Sequence, residues 1–200
     1  MSGLKVVGIP VARAPVDEIE AALTRVSKVI NRPLELRKAA KLPQATIETS
    51  RNQYKAREML LALERQLAGL EVAKLIGAMA AGSPVATPDP DVSIFITDVD
   101  LFTPAVDGAF GELDPGRHVA LLSVRRLREA FYKRPADPAK HRARLVKQML
   151  RVIGLMRGQV DCRDPSCVMS PCSVVADIDR RRERYCAPCW KHISTGSFRI

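Results

Sequence analysis

Apolar residues return with helical spacing in three long stretches and crowd into short unbroken runs between them. In Val16–Ile30 they fall at Ile19, Leu23, Val26 and Ile30, with Asp17, Glu18 and Glu20 in the first turn, where the helix macrodipole favours acidic side chains. Asn52–Leu70 repeats Tyr54, Met59, Leu60, Leu63 and Leu67 and predicts a helix that continues or restarts through Ala73–Met79. Asp137-Pro138 opens a third, since Asp suits an N-cap and Pro the first turn. Its apolar rows are Leu145, Met149, Val152 and Met156, then Val146, Leu150 and Ile153, and Gly158 supplies the C-terminal stop. Leu4–Ile9 and Val92–Thr97 read as buried strands. Pro33–Leu36, Ala109–Glu112 and Val119–Ser123 are further strands, the last two separated by a turn at Asp114-Pro-Gly-Arg117. Arg125–Tyr132 predicts a short helical piece, Gly82–Pro90 a loop, and Ile178–Ile193 a last helix, while residues 37–48 are irregular. Strands and helices alternate without an internal repeat, so the expected class is α/β (α+β), with a mixed sheet of about four strands.

Composition narrows this. A chain of 200 residues with 46% hydrophobic and 27% charged residues fits one globular domain, 1–200, with a sizeable core. No apolar run approaches the ~18 residues that span a bilayer, so no membrane is expected. The first ten residues lack the basic and apolar regions of a signal peptide, which makes the cytoplasm the default compartment. In a reducing compartment the five cysteines, Cys162, Cys167, Cys172, Cys186 and Cys189, read as metal-binding rather than disulfide-bonded. Their odd number also argues against a complete disulfide framework. The net charge of +10 admits nucleic acid as a partner. That support is weak: the excess is spread out, and 4% aromatics supply few stacking platforms.

Several stretches resemble the archaemetzincins, a family of compact zinc-dependent metallopeptidases of the metzincin type. Arg51-Asn-Gln-Tyr54 is similar to that family's Arg-x-Gln-Tyr helix, and Thr97-Asp-Val-Asp-Leu-Phe102 to its Thr-Asp-x-Asp-Leu-Phe segment. Phe110-Gly-Glu112 and Leu122–Leu127 follow in the family's order. The tail completes the match. The family pattern is HExxHxxGxxHC, then x4-C-x-M, a spacer of roughly 17 residues, and CxxC. Here Gly158, Cys162, Cys167, Met169 at the Met-turn position, Cys186 and Cys189 follow it, with 16 residues between Met169 and Cys186, one fewer than usual. The resemblance implies a zincin-like fold with a long active-site-type helix and a zinc-bound tail, 159–200. It also fixes the positions that carry chemistry in the family. Arg151 stands for the first zinc histidine, Val152 for the glutamate base, Leu155 for the second histidine and Asp161 for the third.

Those four side chains do not suit a catalytic zinc, which needs three protein ligands beside an open position, with a carboxylate to take a proton from the bound water. Leu155 has no lone pair, Val152 accepts no proton, and Arg151 offers only donors and a permanent charge. The histidines of the chain, His118, His141 and His192, lie elsewhere in the sequence. A guanidinium at position 151 with Asp161 as its counterion is the expected replacement. If so, no residue is catalytic, and the chain is a pseudopeptidase keeping one structural Zn²⁺ and a cleft for a peptide or protein ligand. Cys162-x4-Cys167 and Cys186-x2-Cys189 are two paired ligand sets suited to a tetrahedral zinc held by four thiolates. Spacing leaves open whether Cys172 or His192 replaces one of them, and whether the thiols are instead free or transiently oxidised. An active zinc-dependent metallopeptidase with other ligands, or a basic nucleic-acid-binding protein, are the rival readings.

Overall fold

The structure is a computed structural model, and it describes residues 5–81 and 92–195. The loop expected at Gly82–Pro90 lies outside the described residues, as does Leu4 at the start of the first expected strand.

Strand β1 (Val6–Pro10) is followed by helix α1 (Val16–Ile30) and the short strand β2 (Leu34–Leu36). Strands β3 (Ile47–Glu48) and β4 (Gln53–Lys55) then lead into helix α2 (Ala56–Ala80). Strands β5 (Val92–Thr97), β6 (Leu101–Thr103), β7 (Val106–Ala109), β8 (Gly111–Asp114) and β9 (Val119–Ser123) come next. The long helix α3 (Pro138–Met156) and the short helices α4 (Val175–Arg180) and α5 (Ala187–Thr195) complete the order. The main sheet has five strands in the order β2-β1-β5-β9-β8, parallel except for β8, which runs antiparallel along β9.

Every residue of β5 is buried because the sheet is covered on both faces. Side chains alternate across it. Val92, Ile94 and Ile96 join Ala120 and Leu122 in a core shared with α1 and α3. Phe95 joins Val7, Ile9 and Leu121 in a second core, under Met59, Leu60 and Leu63 of α2.

The sheets differ from expectation. The sequence pattern predicts one sheet of about four strands; the described residues form five strands there and a second sheet of four, β3-β4-β6-β7. Gln53–Lys55, expected inside a helix, is a strand paired with β6, and α2 starts only at Ala56. Tyr54 is buried by that pairing, which takes precedence over its helical spacing from Met59. The strand expected at Ala109–Glu112 is divided at Phe110 between the two sheets, β7 belonging to one and β8 to the other. A Cβ on Gly111 would stand 2.2 Å from the Leu121 carbonyl oxygen, so only glycine lets β8 lie so close to β9. Arg125–Tyr132 is two 3-10 turns, Arg125–Leu127 and Glu129–Tyr132. The last expected helix is α4 and α5, with residues 181–186 between them.

Helix α3 carries the site and is tied down at both ends. The Asp137 carboxylate accepts from the Lys140 N–H at 2.9 Å. At the other end Gly158 adopts φ +74°, and the N–H groups of Gly158 and Gln159 close onto the carbonyls of Leu155 and Gly154 at 2.9 and 3.0 Å. This is a Schellman arrangement, and it reverses the chain immediately before the cysteine segment. Arg144, fully buried in mid-helix, donates twice to Asp179 at 2.7 Å and once to the Leu127 carbonyl at 2.7 Å, and pairs with Glu129. Lys147 adds bonds to the carbonyls of Ile178 and Asp179 at 3.1 and 3.3 Å, so the tail is held to α3 by satisfied buried charges.

Candidate metal centre and the adjoining cleft

The chain leaves α3 at Gly158, returns past Cys162 and Cys167, and comes back a second time at Cys186 and Cys189. The sulfur atoms of Cys162, Cys167, Cys186 and Cys189 all lie within 4.8 Å of one another. The Sγ atoms of Cys162 and Cys186 are 3.7 Å apart. A tetrahedral zinc with Zn–S bonds of ~2.3 Å needs sulfur–sulfur edges of ~3.8 Å, so these four thiols fit the ion. Backbone N–H groups of Met169 and Cys186 point at the Cys167 sulfur at 3.5 and 3.3 Å, an arrangement that favours a thiolate. Without an ion, burial pushes the Cys167 and Cys189 thiols up. Burial also acts upward on Cys186, but hydrogen bonds from the Cys189 N–H and the neighbouring thiols outweigh it and bring Cys186 below its usual value. Such a mixed set is one that a bound cation would deprotonate together.

Cys172 stands apart from this group. It lines the cleft beside α3, and the Gln148 side-chain amide donates to its sulfur at 3.7 Å. His192 is exposed on α5. Among the described residues no other group of three or more His, Cys, Asp or Glu side chains gathers closely enough to hold a metal.

The cleft has a volume of about 490 Å³. One wall is the row Gln148, Arg151, Val152 and Leu155 of α3; the other is the chain from β7 into β8, including Gly108 and Glu112. Arg151 lies at the heart of it with its guanidinium fully engaged on one side. Nη1 donates to the carbonyls of Met169 and Ser170 at 2.8 and 3.1 Å, and Nη2 donates to Asp161 at 2.5 Å. The Arg151 side chain is 15% exposed and that of Asp161 55%. Val152 and Leu155 present hydrocarbon. His141 is buried 2.8 Å from Glu18, and His118 sits at φ 54° in the turn before β9. Of the side chains at 151, 152, 155 and 161, Asp161 alone carries an atom of a kind that ligates zinc.

Met169 is fully buried beneath α3, where a Cβ on Gly154 would come within 2.4 Å of its sulfur. Glu112 faces the cleft with its carboxyl raised, burial outweighing the Arg57 cation at 4.0 Å. The other motif residues are bracing. Arg51 donates to Gln53 and to Asp107, Gln53 donates to Asp100, and Arg126 holds Asp100 by two bonds of 2.5 and 2.8 Å. They join strands of the small sheet to one another and to the 3-10 turn. Gln148 and Gly154 belong to no motif that the sequence reading isolates. The signal for Gln148 is its place on the same helical face as Arg151, Val152 and Leu155.

A sequence profile of Peptidase family M54 matches residues 14–195. The archaemetzincin of Methanopyrus kandleri is 30% identical over 182 residues, 90% of this chain and 87% of that protein. That of Methanocaldococcus jannaschii is 32% identical over 103 residues, 52% of this chain and 58% of its own. That of Pyrococcus furiosus matches over 51% of its length at 33% identity, so the aligned stretch spans little more than half of these two relatives. Among solved structures, a zinc-dependent peptidase from Methanocorpusculum labreanum superposes with a TM-score of 0.76 at 25% identity, covering 96% of this chain and all of that one. The Methanopyrus kandleri archaemetzincin superposes at 0.71 with 25% identity, over 96% and 95% of the two chains. No described helix is long and apolar enough to cross a membrane. By profile, by sequence and by fold, this chain belongs to peptidase family M54, the archaemetzincins.

Proposed function

We propose that this chain is a non-hydrolysing archaemetzincin. In this reading one structural zinc sits among Cys162, Cys167, Cys186 and Cys189, no catalytic zinc is held, and the cleft along α3 binds a peptide or protein segment. The observation that carries the proposal is the set of bonds from Arg151 to Met169, Ser170 and Asp161. They fix a cation at residue 151, which the resemblance to the family aligns with its first zinc histidine. A guanidinium there repels a divalent ion and has no lone pair to offer it. The carboxylate that could have contributed one ligand is already paired with that cation. What remains is a pocket with an apolar wall and a few polar groups, of a size suited to a side chain or a short extended segment.

The test is to incubate the zinc-loaded chain with a mixture of internally quenched fluorogenic peptides. The expected result is no chelator-sensitive cleavage, together with saturable binding of some peptides that weakens when the cleft residue Leu155 is replaced by Asp. Cleavage abolished by a chelator and restored by zinc would overturn the proposal.

A further inference from the structure

A second cavity, of about 610 Å³, shares no lining residue with the cleft. It lies where the second half of α2 passes over residues 37–41. Its floor is Ile9 of β1 and Phe95 of β5, and its wall is Leu67 and Leu70 of α2. Leu70 is 61% exposed at the mouth. The rim is cationic: Arg37, Lys38, Lys41 and Lys74 stand against one carboxylate, Glu71. Glu71 is bound to Lys74 at 2.9 Å and Arg37 at 3.4 Å, whereas the ammonium groups of Lys38 and Lys41 face no carboxylate among the described residues.

Several of the polar groups that line it are already paired. The Gln66 amide exchanges two hydrogen bonds with the Lys41 backbone, at 3.2 and 3.1 Å. The Ala40 N–H donates to the Pro10 carbonyl and its C=O accepts from Ala12, while the Arg37 N–H donates to Gly8. A bound peptide would carry a backbone donor and acceptor per residue over the side chains of Ile9, Phe95, Leu67 and Leu70, which offer them no partner, and that is costly. A hydrocarbon tail brings no such groups, and an anionic head would meet the ammonium groups of Lys38 and Lys41 at the mouth. We infer that this cavity binds a single-chain fatty carboxylate, its tail over Ile9, Phe95, Leu67 and Leu70 and its head at Lys38 and Lys41. The volume lies within the ~300–1,000 Å³ of small-molecule sites. The inference does not depend on whether the chain hydrolyses peptides.

Calorimetric titration of the full chain with dodecanoate, below its micelle concentration, tests it. Saturable binding of one molecule per chain is expected, with dodecanol about tenfold weaker or worse. The K38E/K41E variant changes exposed side chains only, and circular dichroism should confirm its fold. It should lose about tenfold or more in dodecanoate affinity and keep its dodecanol affinity. Leu70→Asp should weaken both ligands. No saturable binding, equal affinities for dodecanoate and dodecanol, or undiminished dodecanoate binding by K38E/K41E would each overturn the inference.

Discussion

The Arg151 guanidinium commits three N–H groups to fixed acceptors, two of them carbonyls at the turn that carries Met169. Arg151→Ala leaves those carbonyls unpaired beside a vacated space. It should cost about 1–3 kcal/mol in urea denaturation, most of it from the carbonyls, since Asp161 is half exposed and its attraction is screened. Arg151→Lys should recover only part of this, because an ammonium cannot span the same fork of acceptors. Restoring the family's ligands is the complementary experiment. The combined variant R151H, V152E, L155H and D161H should take up a second zinc, measured by elemental analysis, and failure to do so would mean the surrounding shell has also drifted. Gly154 is constrained in another way. A methyl group added there would stand 2.4 Å from the Met169 sulfur, so Gly154→Ala should destabilise by roughly 1–3 kcal/mol, as overpacked cores do.

Helix α3 is the element on which both sites depend, and its ends are testable separately. Asp137→Ala removes the cap on the Lys140 N–H and should cost about 1 kcal/mol. Gly158→Ala meets no atom within 4 Å, so its penalty is purely conformational, about 1–2 kcal/mol for a left-handed residue, and Gly158→Asn should cost less. Both effects are read from denaturation midpoints. The same helix shows what a sequence makes legible. Its cap, its rows of apolar residues and its glycine stop are all local signals, and β5 and β9 stand out as unbroken apolar runs. The pair Arg151–Asp161 and the gathering of four cysteines are legible too, because both follow once the family pattern sets the alignment. Other features rest on long-range pairing that leaves no periodic trace. Gln53–Lys55 is a strand because Leu101 and Phe102 lie beside it on one side and Ile47 and Glu48 on the other. The divided strand around Phe110 depends on two different sheets. Cys172 repeats the spacing of a ligand, and only the fold separates it from the other thiols.

At the scale of the molecule, the tail after Gly158 is tied to itself by the cysteine cluster and to α3 by the buried charges around Arg144, beside the bonds from Arg151. Acid should act on the buried charges. The Asp179 carboxyl is pushed up by burial, but Arg144 and Lys140 outweigh this and hold it below the usual carboxylate range. A depressed folded value means stability that is complete above pH ~4 and lost as pH falls through that value. Burial, aided by the Arg128 cation and opposed by Glu18, lowers His141, so its contribution is present above pH ~6.5 and is lost as pH falls through its folded value. Urea midpoints should therefore decline in two stages on acidification, and Asp179→Asn should flatten the lower stage. The cysteine cluster governs metal. Zinc stoichiometry of the purified chain, by elemental analysis beside its Cys186→Ser variant, bears most directly on the proposed function. One zinc per chain, lost in the variant, is the predicted result; a second zinc that survives the loss of Cys186 would contradict the account.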